Sequence, residues 1–433
     1  MSILQTLARE FAPDPSAPLA DLRAHAYARA RQRGVPTPRD EAWKYTDLRG
    51  HLDGEYVVTA DPPHGAPATA PLLDSTPHRL VFIDGVLAPD VAAPALPPGV
   101  RLRTLAAVLA ADPASLRALM ARHASEDADF FTALNMACAR AGVVIELAAG
   151  CQLETPLLVA FLHTSAAEQL FSAPLVVVNA GANSQLTLIE LHYGEAAATN
   201  LATPLTDLTA GAGSVIEHYR VQLEGAAAVH IGSVQATIER DARVGSHSFA
   251  FGGKLARVEI CAKLAAPGAS VVLNGLFAVA AGQHIDHQTR IEHEAPHTTS
   301  VELYKGLAAG DGRGVFRGQI IVRPNAQKTS SRQASHNLLL SPFAEIDTKP
   351  ELEIYADDVA CAHGATVGQL DDAALFYLCS RGIPAAEAHA LLTFGFTQEV
   401  VEQVAFEPLR RLLAARLAGS ADIPLPERIE PAP

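Results

Sequence analysis

The sequence predicts a mainly β protein in which a parallel β-helix core, residues 143–366, lies between a mainly helical N-terminal region, residues 1–142, and a C-terminal helical domain, residues 367–433. Amphipathic helical patterns are confined to the two ends, short alternating apolar runs fill the middle, and a turn-forming cluster recurs there about every 26 to 31 residues. This period is typical of solenoids, whose rungs bury inward side chains against neighbouring rungs. A β-sandwich is the alternative, but its meander would contain more two-residue hairpin turns.

The N-terminal region contains three amphipathic helical patterns and one short alternating stretch. The helical patterns cover residues 18–32, 104–124 and 129–141, and a Pro- and Ala-rich connector, residues 60–71, follows the first of them. The alternating stretch HRLVFIDGVL contains Asp84 and Gly85, a pair typical of tight hairpin turns. We therefore expect several helices and a small structural hairpin in this region.

The turn-forming clusters of the middle region are rich in Gly, Pro, Asn, Asp and Ser, the residues that favour tight turns. They lie at Gly150 and at residues 181–184, 211–214, 241–243, 267–270, 296–298 and 324–326. Their near-constant spacing predicts one solenoid turn between each cluster and the next.

The C-terminal domain contains signals for three helices. Asp371 and Asp372 can cap a helix that runs to Arg381, and Gly382 occupies the position of a left-handed C-cap residue. Pro384 suits the first turn of a second helix, and Thr397 is expected to cap a third. The apolar residues assigned to the three helices are Leu375, Phe376 and Leu378, then Leu391, Leu392 and Phe394, then Val400, Val404 and Leu409. Such stripes usually pack in a core, and they can also leave a surface for a partner.

Composition excludes several classes of protein. Lys and Arg total 33 against 47 Asp and Glu, a formal charge of −14, which argues against a nucleic-acid-binding surface spread over the whole protein but leaves a local basic patch open. Five scattered cysteines without a CxxC pair suggest neither a disulfide framework nor a zinc ribbon. The N-terminus lacks the apolar core of a signal peptide, and no stretch reaches the roughly 20 apolar residues that span a bilayer. We expect a cytoplasmic protein that binds neither nucleic acid nor membrane.

Cys361 and His363 are the first candidate site. They lie two residues apart where a strand pattern ends, and residues at i and i+2 of a strand share one face. Thiolate and imidazole are ligands suited to iron, zinc or copper. Two ligands do not complete a metal site, however, and a cysteine at a strand end is more often a small packed hydrophobe.

A second candidate site is a cluster of histidines and carboxylates in a short stretch. It consists of His284, Asp286, His287, Glu292, His293, Glu294 and His297. Histidine and carboxylate sets occur in metal enzymes, so the alternative function is a metal-dependent or carbohydrate-active β-helix enzyme that uses this cluster. The same alternation equally suits a solvated outer strand face. The sequence contains neither a phosphate-binding P-loop nor a catalytic triad signature, so we expect no bound nucleotide and no catalytic residue.

Several blocks of the sequence resemble the SufB/SufD family, the scaffold subunits of the bacterial Suf system for iron–sulfur cluster assembly. The blocks are DEAWKYT at residues 40–46, APHTTSVELYKG at 295–306, SHNLLLS at 335–341, ELEIYADDVACAHGATVGQ at 351–369 and LFYLCSRGI at 375–383. They span nearly the whole chain, and the CxHGATVGQ form is specific to the SufD branch.

The resemblance implies a right-handed β-helix and a scaffold subunit without turnover of its own. It also implies pairing with a SufB-like paralogue at the C-terminal rungs. The C-terminal helices would dock a SufC-like ATPase, and the docking residues would be Phe376, Tyr377, Arg381, Gly382 and Ile383. ATP-driven dimerisation of that ATPase would then move the paired β-helices.

In the same family-based interpretation, His363 would hold transient iron or part of a cluster at the interface with the paralogue. Cys361 either shares this role or only packs. A third interpretation makes the chain a partner that only orients the complex, in which case His363 is dispensable. Whether the isolated chain forms a homodimer stays open at this point.

Overall fold

The computed structural model describes residues 17–58, 70–88, 96–164 and 169–419. The protein is mainly β, with a β-solenoid of about seven turns and helices at both ends. The predicted fold class is therefore confirmed. Nearly all of the Pro- and Ala-rich connector, residues 60–71, lies outside the described residues.

The N-terminal helices are α1 (Ala20–Arg33), α2 (Leu105–Ala111), α3 (Ala114–His123) and α4 (Phe130–Cys138), with a short 3-10 helix at Glu41–Trp43. The pattern at residues 104–124 is helical as predicted, but it forms two helices. Asp112 ends α2, and Pro113, which has no N–H to donate, separates it from α3. Asp129 caps α4 by accepting hydrogen bonds from the N–H groups of Phe131 and Thr132.

Twenty-two strands occur in the described residues. In chain order they are β1 (Tyr56–Val57), β2 (His78–Ile83), β3 (Val86–Leu87), β4 (Val100–Thr104), β5 (Gly142–Leu147), β6 (Leu157–His163), β7 (Gln169–Ser172), β8 (Leu175–Ala180), β9 (Gln185–Gly194), β10 (Asn200–Ala202), β11 (Leu205–Ala210), β12 (Val215–Leu223), β13 (Val229–Ile238), β14 (Arg243–Ala250), β15 (Leu255–Leu264), β16 (Ser270–Val279), β17 (His284–His293), β18 (Thr299–Ala308), β19 (Arg313–Val322), β20 (Ser330–Leu339), β21 (Glu345–Ile354) and β22 (Ala360–Gly368).

Two long sheets form the walls of the solenoid. The first has the order β21-β19-β17-β15-β13-β11-β8-β5-β4, and the second has the order β22-β20-β18-β16-β14-β12-β9-β6-β2-β3. Each turn contributes one strand to each sheet, and successive turns pair in parallel. The parallel pairing between turns excludes the β-sandwich alternative.

Seven of the eight corners that lead from the first sheet to the second contain one residue with positive φ, and the corner between β21 and β22 contains none. These residues are Gly150, Asn183, Gly213, Asp241, Gly268, His297 and Lys328, and they fall in or next to the predicted turn-forming clusters. Gly and Asn tolerate this left-handed conformation best, which explains why such residues recur in the sequence at one-turn intervals. The predicted turn spacing is confirmed.

The two ends of the solenoid differ. At the N-terminal end β3 pairs antiparallel with β2, and β4 pairs antiparallel with β5, so the hairpin predicted at Asp84 and Gly85 closes one wall. At the other end β21 and β22 are the last strands of their sheets, and within the described residues no further strand pairs with them. The backbone edges of the last turn are therefore free.

Helices cover the outer faces of both sheets. The N-terminal helices pack on the first sheet around Leu134, Phe130 and Trp43. The C-terminal helices are α5 (Asp372–Ser380), α6 (Ala385–Val401) and α7 (Glu407–Gly419), and buried residues such as Val400 and Leu413 pack on the second sheet. No helix in the described ranges is long and apolar enough to cross a membrane.

The predicted helix signals in the C-terminal domain are correct except for the third. Asp371 caps α5, and Gly382 ends it with a φ of 89°. Thr397, however, lies inside α6 and does not cap a helix, and its hydroxyl donates to the carbonyl of Phe394. The third helix begins only at Glu407, so Val400 belongs to the second helix.

Candidate functional site

Strand alternation places Cys361 and His363 on the inward face of β22. They pair in register with Ser331 and Gln333 of β20, whose side chains are buried in the solenoid interior. Because β22 is the last strand of its sheet among residues that the structure describes, no rung of this part of the chain lies above their inward face. Cys361 is half-buried and His363 is exposed.

The two candidate ligands differ in their surroundings. Cys361 packs against the apolar interior, and burial raises the pKa of its thiol, which disfavours the thiolate that would bind a metal. His363 makes no hydrogen bond within the described residues. Of the two, His363 is therefore the side chain better placed to meet a ligand from outside the chain.

Exposed apolar side chains surround the open end. Phe343 is 81% exposed, Tyr355 is 58% exposed, and Ile354 and Val367 are each about 40% exposed. A free strand edge beside exposed apolar side chains is a combination that monomeric proteins usually avoid. The open end therefore has the chemistry of a protein-binding surface.

A second exposed apolar surface lies on α5, which has no buried residue. Phe376 is 75% exposed and Tyr377 is 56% exposed. Arg381 lies 5.2 Å from the centre of the Tyr377 ring, and Gly382 is exposed while Ile383 is half-buried. The five residues expected to dock an ATPase thus lie on α5 and directly after it, and four of them are exposed.

The helix that follows α5 is fixed to the solenoid. The Nζ of buried Lys305 donates to the carbonyl oxygen of Phe396 at 2.7 Å and pairs with Glu399 at 2.6 Å. The hydroxyl of Tyr219 accepts from the N–H of Ala405. These contacts attach the C-terminal half of α6 to the solenoid. The exposed helix α5 therefore precedes a helix that is fixed to the second sheet.

The structure does not bring the histidine cluster together. His287 and His293 face the solenoid interior, whereas His284 and Asp286 lie on the outer face of β17. The hydroxyl of Thr46 lies 2.9 Å from Nε2 of His284 and donates to Asp286 at 2.5 Å. The cluster is therefore split between two faces, and its inward histidines contradict the interpretation as a wholly solvated face.

The DEAWKYT block at residues 40–46 serves as an anchor for the N-terminal region. Arg257 stacks on the Trp43 ring at 3.9 Å and forms a buried ion pair with Asp286. Glu41 pairs with Lys349 of β21 at 2.6 Å. These contacts attach the block to the outer face of the first sheet.

A buried charged network lies inside the middle turns, and sequence reasoning did not single it out. Glu190 accepts hydrogen bonds from Thr206 and His192, each at 2.6 Å, and Glu224 lies 2.6 Å from His230. Burial alone would raise the pKa of Glu190, but hydrogen bonds from the neighbouring histidines outweigh it and hold that pKa well below its usual range. The one sequence signal for the network is that these polar residues occupy the alternate strand positions that face inward.

Sequence reasoning also missed two residues directly beneath His363. Gln333 lies one rung below it on the inward face, and Glu302 lies one rung below Gln333. Both side chains are buried, and Nε2 of Gln333 donates to Oε2 of Glu302 at 2.6 Å. Among the described residues, no group of three or more His, Cys, Asp or Glu side chains is arranged to hold a metal ion.

Fold and site together define a β-solenoid protein with one open end and an exposed, anchored helical arm. Residues 161–396 match the family model described as "SUF system FeS cluster assembly, SufBD core domain", and residues 5–159 match "SufBD protein N-terminal region". The chain therefore belongs to the SufBD family.

Relatives of the chain include proteins from bacteria and a plant. The chain is 30% identical to the iron–sulfur cluster assembly protein SufD of Escherichia coli over 89% of each chain. It is 27% identical to an iron–sulfur cluster assembly SufBD family protein of Synechocystis, covering 87% of this chain and 85% of the relative. It is also 25% identical to the chloroplastic protein ABCI7 of Arabidopsis thaliana, covering 90% of this chain and 84% of the relative.

Proposed function

We propose that the chain is a non-catalytic scaffold subunit on which iron–sulfur clusters are assembled. In this proposal it pairs with a SufB-like paralogue through the open end of its solenoid and binds a SufC-like ATPase through α5. The family and the name of the Escherichia coli relative support the involvement in cluster assembly.

The observation that supports the scaffold role most directly is the position of His363. Its imidazole is exposed on the inward face of the last strand, next to a free backbone edge and exposed apolar side chains. A second chain that added a strand to this edge would cover the imidazole and bring its own side chains beside it.

The cluster is cargo in this proposal, and the ligands of a transient site come from two chains. A neutral imidazole offers one ring nitrogen as a ligand for iron, and cysteine thiolates are the usual protein ligands of iron–sulfur clusters. Since a metal site usually needs three or four protein ligands, His363 and Cys361 supply at most part of the set. A cysteine of the paralogue would supply the next ligand.

The arm formed by α5 suits a role in docking. The ring of Phe376 is mostly exposed on a helix without any buried residue, and the C-terminal half of α6 fixes that helix to the solenoid. Force generated by an ATPase bound at α5 would therefore reach the solenoid wall through Lys305. ATP-driven dimerisation of the ATPase could then open or close the interface around His363.

The test is a His363→Ala variant co-expressed with the SufB-like paralogue and the SufC-like ATPase and purified without oxygen. We expect the complex to assemble, while its iron and sulfide content falls about tenfold or more because a ligand is lost. His336→Ala is the matched control, because His336 lies on the neighbouring strand but on its outward face, where it contacts Thr366. Unchanged iron and sulfide in the His363 variant would favour the interpretation in which the chain only orients the complex.

A further inference from the structure

Glu302, Gln333 and His363 form a column along the inward face of the second sheet. Glu302 pairs in register with Gln333, and Gln333 pairs in register with His363. Neighbouring parallel strands lie about 4.8 Å apart, so each side chain of the column is stacked on the one below it. The exposed imidazole therefore has a buried carboxamide directly beneath it.

The carboxamide of Gln333 is held in one place. Its Nε2 donates to Oε2 of Glu302 at 2.6 Å. On the facing sheet, Gly318 leaves the space that this group fills, because a Cβ at Gly318 would lie 2.0 Å from the Nε2 atom. The glycine therefore admits a side chain that crosses the interior.

The other end of the carboxamide has no partner in the part of the chain that the structure describes. Oε1 of Gln333 is buried and accepts no hydrogen bond within the described residues. A buried acceptor without a donor is costly, so a donor that could reach it would be stabilising. His363 is the next residue of the column after Gln333, so its ring N–H is the donor that the column offers to this oxygen.

Glu302 sets the direction of the carboxamide. A carboxylate can only accept hydrogen bonds, so an ionised Glu302 requires the NH2 group of Gln333 to face it and the Oε1 to face away. Burial raises the pKa of Glu302 to about 7, so the ionised form is present near neutral pH.

We propose that Gln333, oriented by Glu302, is a positioning residue for His363. In this proposal the exposed imidazole turns towards Gln333, and Oε1 then accepts a hydrogen bond from one ring N–H, a bond that neither group makes within the described residues. The lone pair of the other ring nitrogen is left free for cargo. The inference rests on the proposed function, since it assigns a partner to the residue that meets the cluster. Partners of this kind fix the tautomer and ring direction of metal-binding histidines.

The test measures the tautomer of His363 by ¹⁵N NMR of the full chain labelled in its imidazoles, at a pH where the ring is neutral. The signal is assigned by its loss in His363→Ala. We expect one tautomer to dominate, and Gln333→Leu to shift the tautomer ratio about fivefold towards that of a free imidazole. Asn337→Leu is the matched control, because Asn337 is buried on the same face of β20 but pairs with Val367.

A purely structural role for Gln333 would make a different prediction. Gln333→Leu would then alter stability and leave the tautomer ratio of His363 unchanged, and that outcome would overturn the proposal. Should Gln333→Leu fail to fold, Glu302→Gln serves instead, because it keeps the volume but allows the Gln333 amide to turn. We expect Glu302→Gln to shift the ratio in the same direction, and an unchanged ratio would again overturn the proposal.

The iron content of the co-expressed complex separates this inference from the proposed function. If His363→Ala leaves iron and sulfide unchanged while Gln333→Leu alters the tautomer, the scaffold role of His363 fails and the positioning stands. If His363→Ala removes iron but Gln333→Leu leaves the tautomer unchanged, the positioning role alone fails.

Discussion

Several imidazoles inside the solenoid are held in the neutral form by burial. Burial lowers the pKa of His287 to about 3 and the pKa values of His192 and His293 to about 4. Burial also lowers the pKa values of His163 and His230. An unfolded histidine titrates near pH 6.5, so unfolding takes up protons in the range between these values. The free energy of unfolding should therefore fall as the pH drops from about 6.5 towards 4.

The variant His287→Leu tests this pH dependence of the free energy of unfolding at one residue. His287 lies between the rings of Phe277 and Tyr304, with centroids about 5.5 Å away, so leucine remains in an apolar setting. When the pH is lowered from 7.5 to 5, we expect the free energy of unfolding to fall by about 2 kcal/mol less in the variant than in wild type. The reason is that the unfolded variant has no imidazole at this position to take up a proton. Denaturant unfolding at both pH values measures the difference.

The control for this measurement is His25→Leu, which removes an exposed histidine of α1. We expect its stability to depend on pH as in wild type. The same pH dependence in His287→Leu as in wild type would contradict a neutral buried imidazole at this position.

At the scale of elements, the sequence predicted the solenoid corners and the ends of α5, because both depend on residues that are close together in the chain. The corner residues with positive φ recur at one-turn intervals because few residue types tolerate that backbone, and the pattern is visible without a structure. Asp371 and Gly382 likewise mark the ends of α5 through capping, which involves only neighbouring residues.

The misplaced third helix shows where local signals fail. Thr397 has the side chain of a capping residue, yet α6 continues to Val401 because Val400 and Val401 bury their side chains against the solenoid. Packing over distance outweighed the local preference of one threonine. The second sheet, which provides that packing surface, is assembled from strands far away in the sequence.

The exposed face of α5 gives a prediction at the same scale. Replacing Phe376 and Tyr377 together by serine should abolish co-purification of the SufC-like ATPase. The chain itself should keep its stability within about 0.5 kcal/mol, because the two side chains are mostly exposed. Co-expression followed by affinity purification of the chain measures the retained ATPase.

Leu87→Ser is the control for the α5 variant, because Leu87 is also an exposed apolar residue, at 38%, but lies on β3 at the closed end. It should retain the ATPase. Full retention by the double variant as well would show that the ATPase binds elsewhere on the chain.

At the scale of the whole molecule, the candidate site could be predicted only in part. The spacing of Cys361 and His363 indicates that they share a face, but not that the face points inward at an uncovered end. Gln333 and Glu302 lie 30 and 61 residues before His363, and only the register of three strands brings them into one column. That register depends on the length of every intervening corner, which composition does not determine.

The open end also determines how a partner can bind. The N–H of Ala360 donates to the carbonyl of Thr329, so even-numbered residues of β22 direct their backbone groups towards β20. Backbone groups of a strand alternate in direction, and odd-numbered residues such as Ala365 therefore face the free edge. A partner strand would bond to those residues.

A pair of proline variants tests this edge. Ala365→Pro removes an N–H that pairs with no strand among the described residues, and a strand tolerates proline when the lost N–H faces outward. We expect near wild-type stability but at least tenfold weaker co-purification of the SufB-like paralogue. Thr366→Pro instead removes an N–H directed towards β20, and it should destabilise the chain by about 1 to 3 kcal/mol.

The two variants must be compared by unfolding and by co-purification together. Loss of pairing in Ala365→Pro without loss of stability places the interface on the backbone edge of β22, because only this proline removes an N–H from the outer edge. Undiminished pairing in Ala365→Pro would show that the partner does not extend this sheet. The exposed side chains of Phe343 and Tyr355 would then have to supply the contact, and the imidazole of His363 would lie beside that contact, without a strand above it.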